Sequence, residues 1–311
     1  VSPELCEFLA ANIYDLLRHA PSGINLRVLA TSQSLHTSYS FRLLSVVLRE
    51  LHSTRTVSLQ HGASYGIDYP SFAERIEFIG SDFFFSWGWT NSFYPGALAV
   101  PGVVPSSRMD NSATASDKPK IMFVVSPVRN HPFTISSDDN IEVYEQSVSE
   151  VSQILEGISH INGFCLKPFS VSGSHKLSGY FSDLDSRGLL LRQFSTSAFQ
   201  KFGSCRLIVL NRFSTAALEC LATNTPFVAL APSYWSFRPS VKTLIERLRR
   251  ASILFNQPHE LVSHVCSVEG RISSWWLHGQ TQEAVITTQH LLANTEDLWV
   301  ESFLRSFDSI P

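Results

Sequence analysis

Residues 207–230 read LIVLNRFSTAALECLATNTPFVAL, and this stretch largely determines the expected fold. The apolar run Leu207–Leu210 is typical of a buried strand, and Pro226–Leu230 predicts a second one. Between them the spacing predicts a helix over Ser214–Ala222, which begins with a residue type that often caps helices. Strand, loop, helix and strand together form the repeating unit of a parallel sheet that is covered on both faces.

The same alternation extends in both directions from this stretch. The chain is therefore expected to be α/β, with two successive Rossmann-like lobes and a helical C-terminal tail near 258–268 and 280–305. Residues 105–120 are polar, hold two prolines and predict a linker. We place the first lobe at residues 1–108 and the second at 109–311. Further predicted elements are an opening helix over 5–17 and strands over 26–30, 55–59, 83–85, 121–125 and 163–166.

Composition excludes several functional classes. The chain has 311 residues, a formal net charge of −3 and only 16% charged residues, so no global attraction to nucleic acid is expected. No run approaches the roughly 18 apolar residues that a membrane span needs. Five cysteines without close pairs are typical of reduced thiols in a cytosol. We therefore expect a cytoplasmic protein that does not bind nucleic acid.

The helix after the Leu207–Leu210 strand is the first candidate site. Its N-terminus, near Ser214 and Thr215, offers unpaired amides and a partial positive charge, both suited to a phosphate. Glu219 follows Thr215 by one turn and could accept hydrogen bonds from the hydroxyls of a ribose. The alternative is a capped helix with a solvent-facing glutamate, which any α/β protein can contain.

The turn after the Arg55–Leu59 strand is the second candidate site. It reads Gln60-His61-Gly62-Ala63-Ser64-Tyr65-Gly66. An imidazole titrates near neutral pH and can remove the proton of an attacking hydroxyl, while glycines let a ligand approach the backbone. The alternative is a histidine that backbone groups satisfy within a tight loop.

Lys167 and two aspartates bear on the question of a metal. Lys167 ends a predicted strand and could neutralise a phosphate leaving group in place of a metal, or could be an ordinary solvated charge. Asp183 and Asp185 have the spacing that metal-dependent sugar transferases use. They lie in a loop rich in serine and glycine, and a three-residue match arises often by chance. We therefore predict no metal ligands and no bound cofactor.

Further short motifs accompany these sites between about residues 55 and 290. In chain order they are Glu74, Ser81-Asp82-Phe83, Trp87-Gly88-Trp89, Ser204–Leu207, Thr215-x-x-Leu218-Glu219, Asn224-x-Pro226, Trp235-x-x-Arg238, Trp275-Trp276 and Gln282-Glu283-Ala284. Together with Gln60-His61-Gly62, this series resembles the LIC12162 family of transferases in surface-carbohydrate biosynthesis. That family in turn resembles GT-B glycosyltransferases. A His-Gly after an early strand is also similar to the base-bearing His-Gly of polymer glycerophosphotransferases.

The resemblance implies that the two lobes have different binding functions. In GT-B enzymes the C-terminal lobe binds the nucleotide donor, and the cleft between the lobes holds the acceptor. Family members are longer at the N-terminus, which implies that the first lobe here is incomplete. The implied site residues are His61 and Glu74 for catalysis, with Glu74 orienting the imidazole; Lys167, Ser214, Thr215, Glu219 and Arg238 for the donor; and Gln60, Gly62 and Tyr65 in the cleft.

The expected function is sugar transfer from a nucleotide-activated donor to a hydroxyl of a cell-surface glycan precursor, without a metal. A lipid-linked glycan acceptor would place the protein peripherally at the cytoplasmic face of a membrane. One alternative is transfer of glycerol phosphate or another polyol phosphate in surface-polymer synthesis. A second alternative is a non-catalytic module that binds a nucleotide sugar.

Overall fold

A computed structural model describes most of the chain. It covers residues 26–90, 96–109, 120–126, 141–168, 178–189 and 205–310, with the single positions 7, 11 and 202. Apart from positions 7 and 11, the opening helix expected over 5–17 lies outside the described residues, and so does the linker part 110–119. Every residue predicted for a functional site lies within them.

The first lobe is built around four parallel strands. Its elements are β1 (Val28–Thr31), α1 (Ser34–Thr37), α2 (Tyr39–His52), β2 (Arg55–Leu59), α3 (Phe72–Gly80), β3 (Phe83–Ser86), β4 (Ala97–Ala99) and α4 (Val103–Met109). The strands lie in the order β1-β2-β3-β4. Strand β2 has the predicted bounds, whereas β4 was not predicted because three small apolar residues show no usable periodicity.

Helix α4 corrects the predicted linker. Residues 105–109 are helical rather than extended. Pro105 does not prevent this, because it lies in the first turn, where a proline costs no intrahelical hydrogen bond. Ser106 is fully buried, and the helix packs against the second lobe. This part of the expected linker is therefore structural.

The second lobe holds a five-stranded parallel sheet. Its elements are β5 (Lys120–Val125), α5 (Ile141–Ile158), β6 (Phe164–Pro168), α6 (Ser178–Ser186), β7 (Cys205–Leu210), α7 (Thr215–Ala222), β8 (Phe227–Leu230), α8 (Lys242–Arg250), β9 (Leu254–Phe255), α9 (Pro258–Val268), α10 (Ile272–Trp276), α11 (Gly279–Leu292) and α12 (Trp299–Asp308). The strand order is β6-β5-β7-β8-β9. The order reverses between β5 and β7, and ligands bind at such switch points.

The two sheets share buried apolar side chains. One buried cluster contains Tyr65, Phe84 and Trp87 of the first lobe together with Leu210 and Leu218 of the second. The lobes therefore contact each other through a continuous core on one side of the second sheet.

The helical tail is divided, and its last helix returns to the first sheet. Residues 293–298 separate α11 from α12, where one continuous helical segment was predicted. Phe303 and Phe307 of α12 pack against Phe85 of β3, with ring centroids 6.0 and 4.9 Å away. Ile310 is buried in the same cluster, and its carbonyl accepts a hydrogen bond from Arg27. The division into lobes at 108/109 stays a prediction. Helix α12 follows this boundary in the chain but packs on the sheet of the first lobe.

Among the residues that the structure describes, no helix is both long enough and apolar enough to cross a bilayer.

Candidate active site

Gln60 anchors the turn that carries His61. Its Nε2 donates to the carbonyl of Gly62 (2.9 Å), and its Oε1 accepts from the Trp87 amide and the Trp89 indole, both at 2.8 Å. The side chain is buried, and these three contacts use both ends of its amide. Gln60 was expected to line the cleft; the structure places it beneath the turn, where it positions His61.

Gly66 closes the same turn against a tryptophan. Its φ of +73° is in the left-handed region, and an added Cβ would lie 2.6 Å from Trp89 Cε2. Its amide donates to Glu74 Oε2 at 3.0 Å. The close backbone approach at this glycine is to Trp89, not to a ligand.

The two candidate sites meet. Thr215 Oγ1, at the start of α7, accepts a hydrogen bond from the Ala63 amide at 3.3 Å. An added Cβ at Gly62 would lie 3.4 Å from the same oxygen. The turn follows the carboxyl end of β2, and α7 follows the carboxyl end of β7. The structure therefore brings the turn that carries His61 against the N-terminus of α7, where the two lobes meet.

The N-terminus of α7 has no side-chain cap. Ser214 is the N-cap residue, as predicted, but its side chain makes no capping hydrogen bond, and the first turn holds no acidic residue. The unpaired amides and the helix dipole therefore favour an anion here. Asn211, at the end of β7, accepts from the Ser126 amide at 2.7 Å and ties β7 to β5 at the switch point.

Glu219 and Lys167, the other two residues predicted for the donor site, both lie in the second lobe. Glu219 is only 9% exposed, which excludes the alternative of a solvent-facing glutamate. Lys167 lies at the carboxyl end of β6, opposite Val124 of β5. Strand β5 therefore separates it from β7, although both strands end at the same edge of the sheet.

The surroundings of His61 differ from the prediction. Its ring stacks on His36 with centroids 5.8 Å apart, and its Nε2 lies 3.5 Å from the Tyr65 hydroxyl. The carboxylate joined to this cluster is Glu77, which contacts His36 Nδ1 at 2.6 Å and accepts from Ser58 at 3.1 Å. Glu77, not Glu74, is therefore the carboxylate that is linked to the His61 imidazole, and the link passes through His36.

Glu74 instead holds the two lobes together. Its Oε1 lies 3.0 Å from a guanidinium nitrogen of Arg238, and the two side chains are 0% and 10% exposed. Arg238 also donates from Nε to the Asp68 carbonyl at 3.2 Å. Arg238 was expected at the donor site and Glu74 beside the imidazole. In the structure these two residues instead form an ion pair with each other.

Further contacts beside this ion pair join the same two segments. The Trp235 indole donates to Asp68 Oδ1 at 2.9 Å, and the Tyr69 amide donates to the Ser236 carbonyl, also at 2.9 Å. Asp68 and Phe237 form an isolated antiparallel bridge. The segments around Asp68 and Arg238 therefore form an interlobe clamp, which we define as residues 67–69 and 235–238 with Glu74.

Burial sets the protonation of the main titratable groups. Burial, with a contribution from His36, lowers the pKa of His61 to about 4, so the imidazole is neutral at neutral pH. A backbone hydrogen bond with Ser32 acts in the opposite direction. Burial raises the pKa of Glu74 to about 7, although Arg238 and the Gly66 amide act in the opposite direction. Burial also raises the pKa of Tyr65.

The aspartates with metal-ligand spacing lie on a helix. Asp183 and Asp185 fall within α6 rather than in the predicted loop, and Asp183 pairs with Arg187 at 3.3 Å. Over the described ranges, no group of three or more His, Cys, Asp or Glu side chains converges as a metal site would require.

Sequence reasoning missed several members of the site. Glu77 lies three residues after Glu74, on the same buried face of α3, and this spacing could have identified it. His36 lies in the short helix α1, and no local motif marks it. Asp68 contributes through Trp235, which sequence motifs had placed beside Arg238 without showing the interlobe contact.

Comparison with known proteins adds a family and a fold. A model of the LIC12162 family transferases matches residues 7–307. No curated protein sequence matches the chain.

Solved structures share the fold at low identity. The crystal structure of TarM has a TM-score of 0.53 and 10% identity; the match covers 97% of this chain and 58% of TarM. The pneumococcal O-GlcNAc transferase GtfA, in complex with UDP and GlcNAc, gives 0.55 and 11%, covering 97% and 59%. The S. aureus MnaA–UDP structure gives 0.58 and 10%, covering 98% and 81%. This chain therefore has the two-lobed fold that these proteins share and spans under two thirds of TarM and GtfA.

Proposed function

We propose, from the premise that the chain belongs to the LIC12162 family of transferases, that it moves a sugar from a nucleotide-activated donor to a hydroxyl. The acceptor would be a glycan precursor of the cell surface. The observation that carries the proposal is the contact between the Ala63 amide and Thr215 Oγ1. It places the turn that carries His61 in one lobe against the N-terminus of α7 in the other.

The second lobe supplies the donor site. The α7 N-terminus would hold the donor phosphates, and Glu219, one turn further along, would accept hydrogen bonds from the ribose. Lys167 would act at longer range, from the end of β6, on the charge of the leaving diphosphate. Arg238 has a positioning role in this proposal, since its guanidinium is engaged by Glu74 and Asp68.

The first lobe supplies the base. In the transfer step the acceptor oxygen forms a bond to the anomeric carbon, the bond from that carbon to the phosphate oxygen breaks, and the acceptor proton passes to His61. A pKa of about 4 keeps His61 in the neutral form that can accept the proton.

Glu219 tests the donor half of the proposal. Glu219→Ala is expected to weaken UDP binding by about 1.5–3 kcal/mol, the range for a hydrogen bond to a charged group. UDP is the first nucleotide to test, because GtfA and MnaA hold it on the same fold. Calorimetric titration of both proteins measures the difference.

Glu219→Gln is the matched control for the Glu219→Ala variant. It keeps the shape and one acceptor oxygen, so it should lose less affinity. Equal affinity of the wild type and the alanine variant would remove Glu219 from the donor site.

Metal independence is a separate part of the proposal. With Lys167 and the α7 amides acting on the phosphates, EDTA is expected to leave turnover nearly unchanged in a sugar-transfer assay. Activity that EDTA abolishes and that only added Mn²⁺ or Mg²⁺ restores would show a metal in the reaction. Asp183→Asn would then identify whether the α6 aspartates bind it.

The acceptor side extends the proposal to location. A lipid-linked glycan would bring the enzyme to the cytoplasmic face of a membrane as a peripheral protein. The absence of a membrane-spanning helix among the described residues is compatible with this arrangement. Co-sedimentation with liposomes that carry a lipid-linked acceptor tests it, and equal recovery with acceptor-free liposomes would argue against it.

A further inference from the structure

A second cavity lies on the opposite edge of the second sheet from the cleft. Its volume is about 420 Å³, and the turn before β9 and the helices α9, α10 and α11 line it. Ala251 and Ser252 precede the amino end of β9, whereas Thr215 follows the carboxyl end of β7. In a parallel sheet these are opposite edges, so the cavity is distinct from the proposed transfer site.

The polar lining of this cavity is basic. Arg250 and Arg271 line it, and its lining includes no aspartate or glutamate. His264 also lines it, but burial and the neighbouring Arg271 lower its pKa to about 4, so it is neutral there. A cavity lined by one sign of charge attracts ligands of the opposite sign.

The Arg250 side chain is not needed to cap the C-terminus of α8. The last carbonyls of α8 accept hydrogen bonds from the amides of Ala251, Ser252 and Ile253, at 2.9–3.0 Å. Its neighbours Arg247 and Arg249 pair with Glu283 and Glu246. Arg250 forms no ion pair with any residue that the structure describes. Its guanidinium is therefore available to a ligand.

Arg271 and a helix end add to the same positive field. Arg271 donates through Nε to the Ser267 carbonyl at 3.4 Å, which fixes its guanidinium beside the cavity. Helix α11 begins here after His278, without a side-chain cap and without an acidic residue in its first turn. Its 14 residues direct unpaired amides and the positive end of the dipole to the cavity. An anion would therefore contact charges from three elements.

The rest of the cavity suits a polar organic group. Trp275 is held by a hydrogen bond from its indole to the Ala251 carbonyl (3.1 Å), and the His264 ring lies against it with centroids 4.8 Å apart. His264 Nε2 is buried without a hydrogen-bond partner among the described residues. The cavity is much larger than a single ion needs, since a water molecule occupies about 30 Å³ in the liquid.

We propose that this cavity binds a monosaccharide phosphate, with the phosphate between Arg250, Arg271 and the α11 N-terminus. The sugar ring lies against Trp275, beside His264. Planar guanidinium groups bind phosphate oxygens in pairs, and aromatic faces pack on sugar rings. Binding here requires neither His61 nor α7, so it does not depend on transfer in the cleft.

Calorimetric titration of the full chain with glucose 6-phosphate, inorganic phosphate and glucose tests the proposal. Glucose 6-phosphate is expected to bind saturably, inorganic phosphate more weakly and glucose not measurably. Arg250→Gln/Arg271→Gln should weaken glucose 6-phosphate binding at least tenfold. Arg247→Gln is the matched control: it removes a cation from the same helix outside the cavity and should leave the affinity unchanged.

Other outcomes would overturn the proposal. No saturable binding of glucose 6-phosphate to the wild type, or an unchanged affinity in a folded double variant, would remove the site. Inorganic phosphate that binds as tightly as glucose 6-phosphate would remove the sugar from the proposal. If the double variant does not fold, the single change Arg250→Gln, at an exposed residue, replaces it and should still weaken binding. His61→Ala should retain binding, which separates this site from the transfer reaction.

Discussion

His61→Ala is expected to lower kcat by about 10²–10⁴, the usual contribution of a positioned general base. UDP affinity should stay close to that of the wild type, because the donor site belongs to the other lobe. The wild-type kcat/KM should rise with pH through the pKa of His61, about 4, and be flat near neutrality. The sign follows from the base role, since only the neutral imidazole accepts a proton. The variant should lose this acid limb.

The control for His61→Ala separates catalysis from folding. His61 is partly buried in a tight turn, so truncation could reduce activity simply by reducing the folded fraction. Melting temperature and kcat are therefore measured on the same preparations. His52→Ala, at the exposed end of α2, should leave both unchanged. A folded His61→Ala protein with near-normal turnover would end the general-base assignment.

Arg238→Met is expected to destabilise the fold by about 3–5 kcal/mol, the cost of leaving a buried charge without its partner. Glu74 is 0% exposed and would lose the guanidinium 3.0 Å away. The deficit should shrink at low pH. Glu74 has a pKa raised to about 7, and losing Arg238 raises it further, so acid neutralises the abandoned carboxylate. Urea unfolding at pH 5 and pH 8 measures the effect.

Two further variants bracket the Arg238→Met result. Glu74→Gln in the Arg238→Met background removes the uncompensated charge and should restore part of the stability. Arg305→Met breaks the exposed pair with Glu301 and should cost only about 0.3–0.5 kcal/mol, the range for exposed helix pairs. An Arg238→Met deficit no larger than that of Arg305→Met would show that the interlobe ion pair contributes little.

Local sequence patterns predicted most of the second lobe. The stretch 207–230 folds as the predicted strand, helix and strand. Its apolar runs and the polar residues that separate them indicate the same three elements. Strand β2 was likewise predicted at its observed bounds. Elements such as β4 and β9 were missed, since two or three residues show no periodicity from which a strand can be inferred.

The partners of the site residues could not be predicted in the same way. Both Glu74 and Glu77 face the interior from α3, and only the tertiary fold determines that Glu74 meets Arg238 while Glu77 meets His36. These contacts join residues separated by 164 and 41 positions in the sequence. Helical and strand periodicity reports only on neighbours within one element and therefore cannot predict them. The meeting of Ala63 and Thr215 is of the same kind.

The return of α12 to the first sheet affects how the lobes can move. The chain passes from the first lobe to the second after α4 and back again between α11 and α12. The chain therefore connects the two lobes twice, and any relative rotation of the lobes has to satisfy both connections. Phe303 and Phe307 anchor the second connection on Phe85. Any movement of the lobes relative to each other would therefore be a bending that both connections tolerate rather than a free separation.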